Sequence, residues 1–194
     1  MLRGGSGIRD TSDIGEDGSH ALASDIAIVP IDAHQAAELS ALCYDIYPQF
    51  FTYLWDDGGA WYMHATYSVA QMQAELADAN ARFFFIEQRG RRAGYLKLKL
   101  DSDVDGEAGG LEIERIYLSS AFTGQGLGRH AMDAAQHIAR QRNKRYVWLH
   151  VMDSSLDSIA FYARNGFAIV GETFLPFEHM LPEYRRMWRM KKPL

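Results

Sequence analysis

The run Thr123-Gly124-Gln125-Gly126-Leu127-Gly128-Arg129 constrains the fold more than any other part of this sequence. It follows a stretch of strand character, Leu111 to Ser119 (LEIERIYLS), and opens a helical stretch, about Gln125 to Arg142. The buried face expected of that helix is Leu127, Ala131, Ala134, Ala135 and Ile138. Glycines at alternate positions permit a tight turn and let a ligand reach the backbone with no Cβ in the way. The first turn of a helix leaves its N–H groups without carbonyl partners. The helix dipole adds partial positive charge at the same place. Together these make a site suited to phosphate.

The surrounding pattern sets the fold class. Ile26 to Pro30 reads as a short strand, and Asp32 then caps a helix whose apolar positions are Ala36, Leu39, Leu42, Cys43 and Ile46. Pro48 ends that helix. An aromatic loop is expected from Phe50 to Met63, with Asp56-Asp57-Gly58-Gly59 at its tip, and a second helix from about Ser68 to Ala79. Strands follow at Arg82 to Gln88 and Ala93 to Leu100, joined by a turn at Arg89 to Arg92. The Leu/Lys alternation over 96–100 predicts a half-solvated antiparallel face. After the glycine loop and its helix come a strand (Tyr146 to Met152), a helix (Ser154 to Asn165) and two strands (Phe167 to Thr173, Glu183 to Lys191). The order β-α-α-β-β-β-α-β-α-β-β is a mixed α/β fold, antiparallel first, with a parallel-type crossover in the middle.

Composition narrows the class of function. With 194 residues, 47% of them hydrophobic, the chain can bury a core as one domain. Residues 1–24 are rich in Gly, Ser and Asp and read as a flexible tail. They lack the apolar segment of a secretory signal, and no apolar run reaches the roughly 18–20 residues that span a bilayer. The lone cysteine, Cys43, excludes an internal disulfide and fits the cytosol. It falls on the buried stripe of the first helix and reads as packing. A net charge of −5 argues against nucleic acid as a ligand and favours cationic partners. The basic end, Arg185, Arg186, Arg189, Lys191 and Lys192, reads as charge guarding a sheet edge. The seven histidines show no metal-ligand spacing, so no metal is expected.

Two phosphate ligands compete for the loop. Gly126 to Ala131 fits G-x-G-x-x-A, a dinucleotide-binding variant, with Asp153 about where a ribose-binding acid would sit. Against it, the preceding strand carries Glu112, Glu114 and Arg115, which a fully buried parallel strand would not tolerate unpaired. The link Ser119 to Thr123 also separates that strand from the first glycine.

The loop instead resembles the pyrophosphate loop Arg/Gln-x-x-Gly-x-Gly/Ala of the GNAT superfamily of acetyl-CoA-dependent N-acetyltransferases, with Thr123 in place of the usual Arg or Gln. A second block, Ser155 to Phe167 (SLDSIAFYARNGF), resembles the family's N-x-x-A-I-x-F-Y-x-x-x-G-F, with Ser155 where Asn is usual. The Leu54-Trp55 loop and LEIERIYL are similar to bacterial members resembling polyamine acetyltransferases. The resemblance covers residues 25–194. It implies a mostly antiparallel sheet with a splayed central strand pair flanked by helices. It also implies an acetyl-CoA cosubstrate and a small-molecule or peptide amine as acceptor. A monomer or homodimer fits, as does a degenerate acyl-CoA-binding sensor or scaffold.

The chemistry assigns candidates. An alkylammonium of pKa about 10.4 is short of its neutral form at neutral pH by about 4.6 kcal/mol, so a base is needed. Glu112 and Glu114 are the candidates, on one face of the strand unless a bulge intervenes. By resemblance, the backbone N–H of Leu118 is the oxyanion donor, and the Ile116, Tyr117 and Leu118 backbone meets the pantetheine arm. Tyr162 takes the family's tyrosine position as acid for the leaving thiolate. Thr123, Gly124, Gln125, Gly126, Leu127, Gly128, Arg129, Ser155 and Arg164 complete the coenzyme site. His150 reads as a core or edge histidine, or as one facing the substrate slot. Tyr53, Trp55, Trp61 and Tyr62, with the acidic clusters Asp56-Asp57 and Asp101 to Glu107, suit a cationic amine if they wall the acceptor.

Overall fold

The computed structural model describes residues 25–194; the tail expected over residues 1–24 lies outside them. Its core is one seven-stranded sheet. The strands are β1 (Ile26–Pro30), β2 (Ala81–Gln88), β3 (Arg91–Lys99), β4 (Gly110–Leu118), β5 (Tyr146–Met152), β6 (Ala168–Phe174) and β7 (Arg186–Pro193). Their spatial order is β1-β2-β3-β4-β5-β7-β6. All neighbours are antiparallel except β4 and β5, which are parallel. The crossover joining that pair carries the helix α4 (Leu127–Gln141), because parallel neighbours need a long connection. A doubly wound dinucleotide fold is therefore excluded.

Two apolar clusters lie on the two faces. One joins α4 and α5 (Leu156–Arg164) to the sheet through Leu127, Ala131, Leu149, Val151, Tyr162 and Phe167. The other lies under α1 (Ala36–Ile46), α2 (Ala60–Tyr67) and α3 (Val69–Ala77), and includes Leu39, Cys43, Trp55, Tyr67, Phe85 and Tyr95. The expected faces hold with small rotations. Cys43 is buried as expected, while Leu42, Ala134 and Ile138 are half-buried and Met132 and Ala139 are buried instead.

Four expectations change. The aromatic segment is not all loop, since α2 starts at Ala60. Gly59 holds φ +87° before it, and the Asp57 carboxylate accepts from the Gly59 and Trp61 N–H groups at 2.8 and 2.7 Å. Helix α2 has no one-sided apolar stripe, so periodicity gave no sign of it. Second, the Lys face of 96–100 is solvated only at its end: Lys97 is 4% exposed because α3 covers it, while the Lys99 side chain is 41% exposed. Third, β7 lies between β5 and β6, so the basic end guards no edge. Three of its charges are paired instead, Arg186 with Asp153, Arg189 with Asp105 and Lys191 with Glu107, and Lys192 donates to the Gln136 side-chain oxygen at 2.6 Å. Fourth, strand β3 begins at Arg91, leaving only Arg89 and Gly90 for the turn. Among the described residues, no helix is long and apolar enough to cross a membrane.

Candidate active site

The site begins where two strands part. β4 and β5 pair only over Gly110 to Glu112 against Tyr146 to Trp148, yet β4 runs on to Leu118 and β5 to Met152. On its other side β4 stays paired with β3 to its end, with a register shift between Ile113 and Arg115 that leaves Glu114 without a partner. Such a bulge bends its strand and increases local twist, which accounts for the parting. The Ser119 N–H donates to the Ala93 carbonyl at 2.9 Å. Strand alternation then turns the Leu118 and Ile116 N–H groups toward the gap. Tyr117 differs from expectation here. Its backbone faces β3, and its side chain is what lines the site.

At one mouth of the gap is the glycine loop. Gly124 and Gly126 have φ +73° and +87°, and a Cβ built on either would meet nothing within 4 Å. The residues Thr123 to Gly126 are exposed. The Thr123 hydroxyl donates to the Ser120 carbonyl and the Gln125 amide to the Ala121 carbonyl, both at 2.9 Å. Both side chains thus fold back on the preceding turn and leave the start of α4 uncovered. Gly128 lies close to Leu118 and Phe161, with a Cβ there 3.8 and 3.5 Å from their side chains. Leu127 is buried. Arg129 pairs with Asp133 at 3.4 Å on the exposed surface of α4, and Arg164 is exposed at the end of α5. Ser155 stands half-buried at the start of α5, with no hydrogen bond from its hydroxyl to the helix's first turn.

Tyr162 is 9% exposed and packs between Phe161 and Phe167 on the α4–α5 face. Among the described residues its hydroxyl has no hydrogen-bond partner. Burial pushes its phenol well above the ordinary value, so it stays protonated.

Behind the gap, on the opposite face, is a cavity of about 340 Å³. Its acidic wall holds Glu75, Glu112 and Glu114, with Arg115 and His150; its other wall includes Tyr47, Phe51, Trp55, Tyr62, Met152, Phe177 and Met187. The Trp55 and Tyr62 rings stack at 4.7 Å. The two carboxylates expected on one face do share this cavity, despite the bulge. Their surroundings separate them. Glu114 is held by Lys97 at 2.7 Å, Lys99 at 3.3 Å and Arg115 at 3.4 Å. Glu112 accepts from the Ser102 hydroxyl at 3.0 Å and lies 3.5 Å from His150 Nδ1. Burial acts to raise the Glu112 pKa, but the contacts to His150 and Ser102 and the charge of Lys99 outweigh it and hold it below the usual carboxylate range. His150 is thus on the cavity wall, with Nε2 3.2 Å from the Thr173 hydroxyl.

The acidic clusters are mostly engaged elsewhere. Asp57 caps α2, and Asp56 pairs with His179 at 3.1 Å. Asp101 pairs with Lys144, Asp103 accepts from the Gly109 and Gly110 N–H groups, and Asp105 and Glu107 hold β7. Sequence reasoning missed Glu75, an α3 residue whose role depends on β3 and β4 lying beneath it. Among the described residues, no group of three or more His, Cys, Asp or Glu side chains is placed to hold a metal ion.

These features define a class: a mixed α/β protein with a splayed sheet, an anion-suited helix mouth on one face and an acid-bearing aromatic cavity on the other. The model of the acetyltransferase (GNAT) family matches residues 41–167, and the chain belongs to that family. It is 35% identical over 107 residues to the uncharacterized N-acetyltransferase in the pepI 3′ region of Lactobacillus delbrueckii subsp. lactis, 54% of this chain and 62% of that one. It is 28% identical over 71 residues to the spermine/spermidine N(1)-acetyltransferase of Bacillus subtilis (strain 168), 36% of this chain and 47% of that one. The chain thus spans about half to three fifths of the length of these curated relatives. Its fold is like that of the PaiA N-acetyltransferase from Thermoplasma acidophilum, solved with coenzyme A. The TM-score is 0.69 at 16% identity, over 87% of this chain and 99% of that one.

Proposed function

We propose that this protein transfers an acetyl group from acetyl-CoA to a primary amine by direct attack of the amine nitrogen on the thioester. The observation that carries the reading is the uncovered glycine mouth of α4 beside a sheet gap that backs onto an acid-bearing cavity. The residues fit the cosubstrate. N–H groups at the start of α4, from Gly124 to Arg129, bind its diphosphate. The Ile116 and Leu118 backbone pairs with the pantetheine amides as an added strand would, with Ser155 and Arg164 bordering that arm. The Leu118 N–H stabilises negative charge developing on the thioester oxygen. Tyr162, kept protonated by burial, donates to the departing thiolate and regains its proton from the attacking nitrogen, which must lose a second proton as the amide forms.

Glu112 receives the amine. Glu114 has its charge balanced by three cations, whereas Glu112 has only Ser102 and His150 in contact. Glu112 therefore attracts the ammonium, and the Glu112–His150 pair takes its proton. The imidazole, about 27% exposed, passes it to water.

The test is thiol release from acetyl-CoA with a panel of primary amines, read also by the product's mass. Turnover is expected, with Glu112→Gln lowering kcat/KM by about 100-fold and Glu114→Gln acting mainly on stability. Coenzyme A binding without turnover over the whole panel would make the chain an acyl-CoA-binding module instead.

A further inference from the structure

The charge arrangement of the cavity specifies its acceptor more narrowly than "a cationic amine". Resting on the acetyl-transfer reading, we infer that the acceptor is a monoamine with an apolar body, not a polyamine.

Consider first the charges facing the cavity. Glu75 takes both guanidinium nitrogens of Arg115, at 2.8 and 3.1 Å, and the Lys97 ammonium at 2.7 Å. Glu114 takes Lys97, Lys99 and Arg115. These two carboxylates face three cations, so their charge is balanced, although among the described residues Glu114 Oε2 has Lys99 at 3.3 Å as its one charged neighbour and accepts no hydrogen bond. Glu112 alone among the lining carboxylates has no Lys or Arg within ion-pair distance among the described residues. The cavity therefore offers one anchoring point for one ammonium.

Next consider what meets the rest of the ligand. From Glu112 the space is bounded by Trp55, Tyr62, Phe177, Met152, Met180 and Met187. No carboxylate stands among them. A second ammonium lodged there would lose its water and gain ring faces but no counter-ion, which offsets only part of a costly burial. A methylene chain or aromatic ring would instead gain contact with rings and polarizable thioethers. The volume of about 340 Å³ is at the small end for ligand pockets, enough for a compact amine.

Last, the acids that might draw a polycation toward the mouth lie on the exposed surface or in an ion pair, where water or a partner weakens their pull. Asp57 caps α2, Asp56 pairs with His179, and Asp153 pairs with Arg186 at 2.8 Å. Glu178 is exposed, where water weakens its attraction to a passing cation.

Hexylamine and cadaverine test this directly. They match in heavy-atom count and differ by a terminal methyl in place of a second ammonium. Each is titrated calorimetrically into the protein saturated with coenzyme A, which has no acyl group to transfer, and each is then assayed with acetyl-CoA by thiol release. Hexylamine is expected to bind at least about tenfold more tightly, and to give a kcat/KM at least about tenfold higher, the scale set by an unpaired buried charge. Phenethylamine is expected to side with hexylamine and spermidine with cadaverine. Equal or tighter binding of cadaverine, or binding of neither amine, overturns the inference. The expected binding order without any thiol release would overturn the acetyl-transfer reading and leave the cavity's preference standing.

Discussion

Replacing Glu75 with glutamine removes one carboxylate from beneath α3 and leaves Arg115 and Lys97 to share Glu114 alone. All three are largely buried, with side chains 14%, 9% and 5% exposed. Burial acts to raise the Glu75 pKa, but the charges and hydrogen bonds of Arg115 and Lys97 outweigh it and bring it from 4.5 to about 2. That difference corresponds to about 3 kcal/mol of stability at neutral pH. Breaking a buried ion pair from one side costs a similar amount, about 3–5 kcal/mol. The sign follows from the direction of the shift. A group whose folded pKa is depressed contributes fully above its unfolded value, and the contribution is lost as pH falls through the folded one. The gap between wild type and Glu75→Gln should therefore be full above about pH 4.5, shrink to about 1 kcal/mol near pH 3, and vanish below about pH 2. Urea unfolding followed by circular dichroism, at neutral pH and at steps down to the acid limit of the folded state, measures it. A gap below about 1 kcal/mol at neutral pH, or one that widens with acid, would refute the reasoning. Because Glu75 ties α3 to β4 at the cavity, the variant should also raise KM for the amine more than it lowers kcat.

Two further outcomes are expected. Tyr162→Phe should lower kcat by roughly 10–100-fold with coenzyme A affinity kept, measured by thiol release and calorimetry; an unchanged kcat when chemistry limits the rate excludes the acid role. Gly126→Ala places a side chain at φ +87° with open space around it. It should cost about 1–2 kcal/mol from backbone conformation alone, seen as a lower Tm, while weakening coenzyme A at least about tenfold because the methyl intrudes on the phosphate's approach. Loss of stability with unaltered coenzyme affinity would mean that the loop does not hold the diphosphate.

Much of the fold was legible because its signals are local. The seven strands and the helices α1, α3, α4 and α5 follow from periodicity, glycine and proline placement, and caps that act within a few residues. The glycine mouth was legible for the same reason, since positive φ and uncovered N–H groups belong to consecutive residues. Helix α2 was not, because its aromatic residues are apolar on all sides and its start depends on an Asp57 side chain folding back onto Trp61.

The balance of charge was beyond reach of the chain read in order. Lys97 looks solvated beside Leu96 and Leu98 until α3, some twenty residues earlier, is laid over it with Glu75. Glu112 and Glu114 look equivalent until the bulge and three cations separate them. The acids of 56–57 and 101–107 look like an attracting wall until their own partners are seen. By itself the sequence determined the element order and the backbone of the anion site, which are set by bonds between near neighbours. Only the tertiary structure decided which carboxylate is left to meet a substrate, because an ion pair is made between groups far apart in the chain and its strength depends on how much water burial removes.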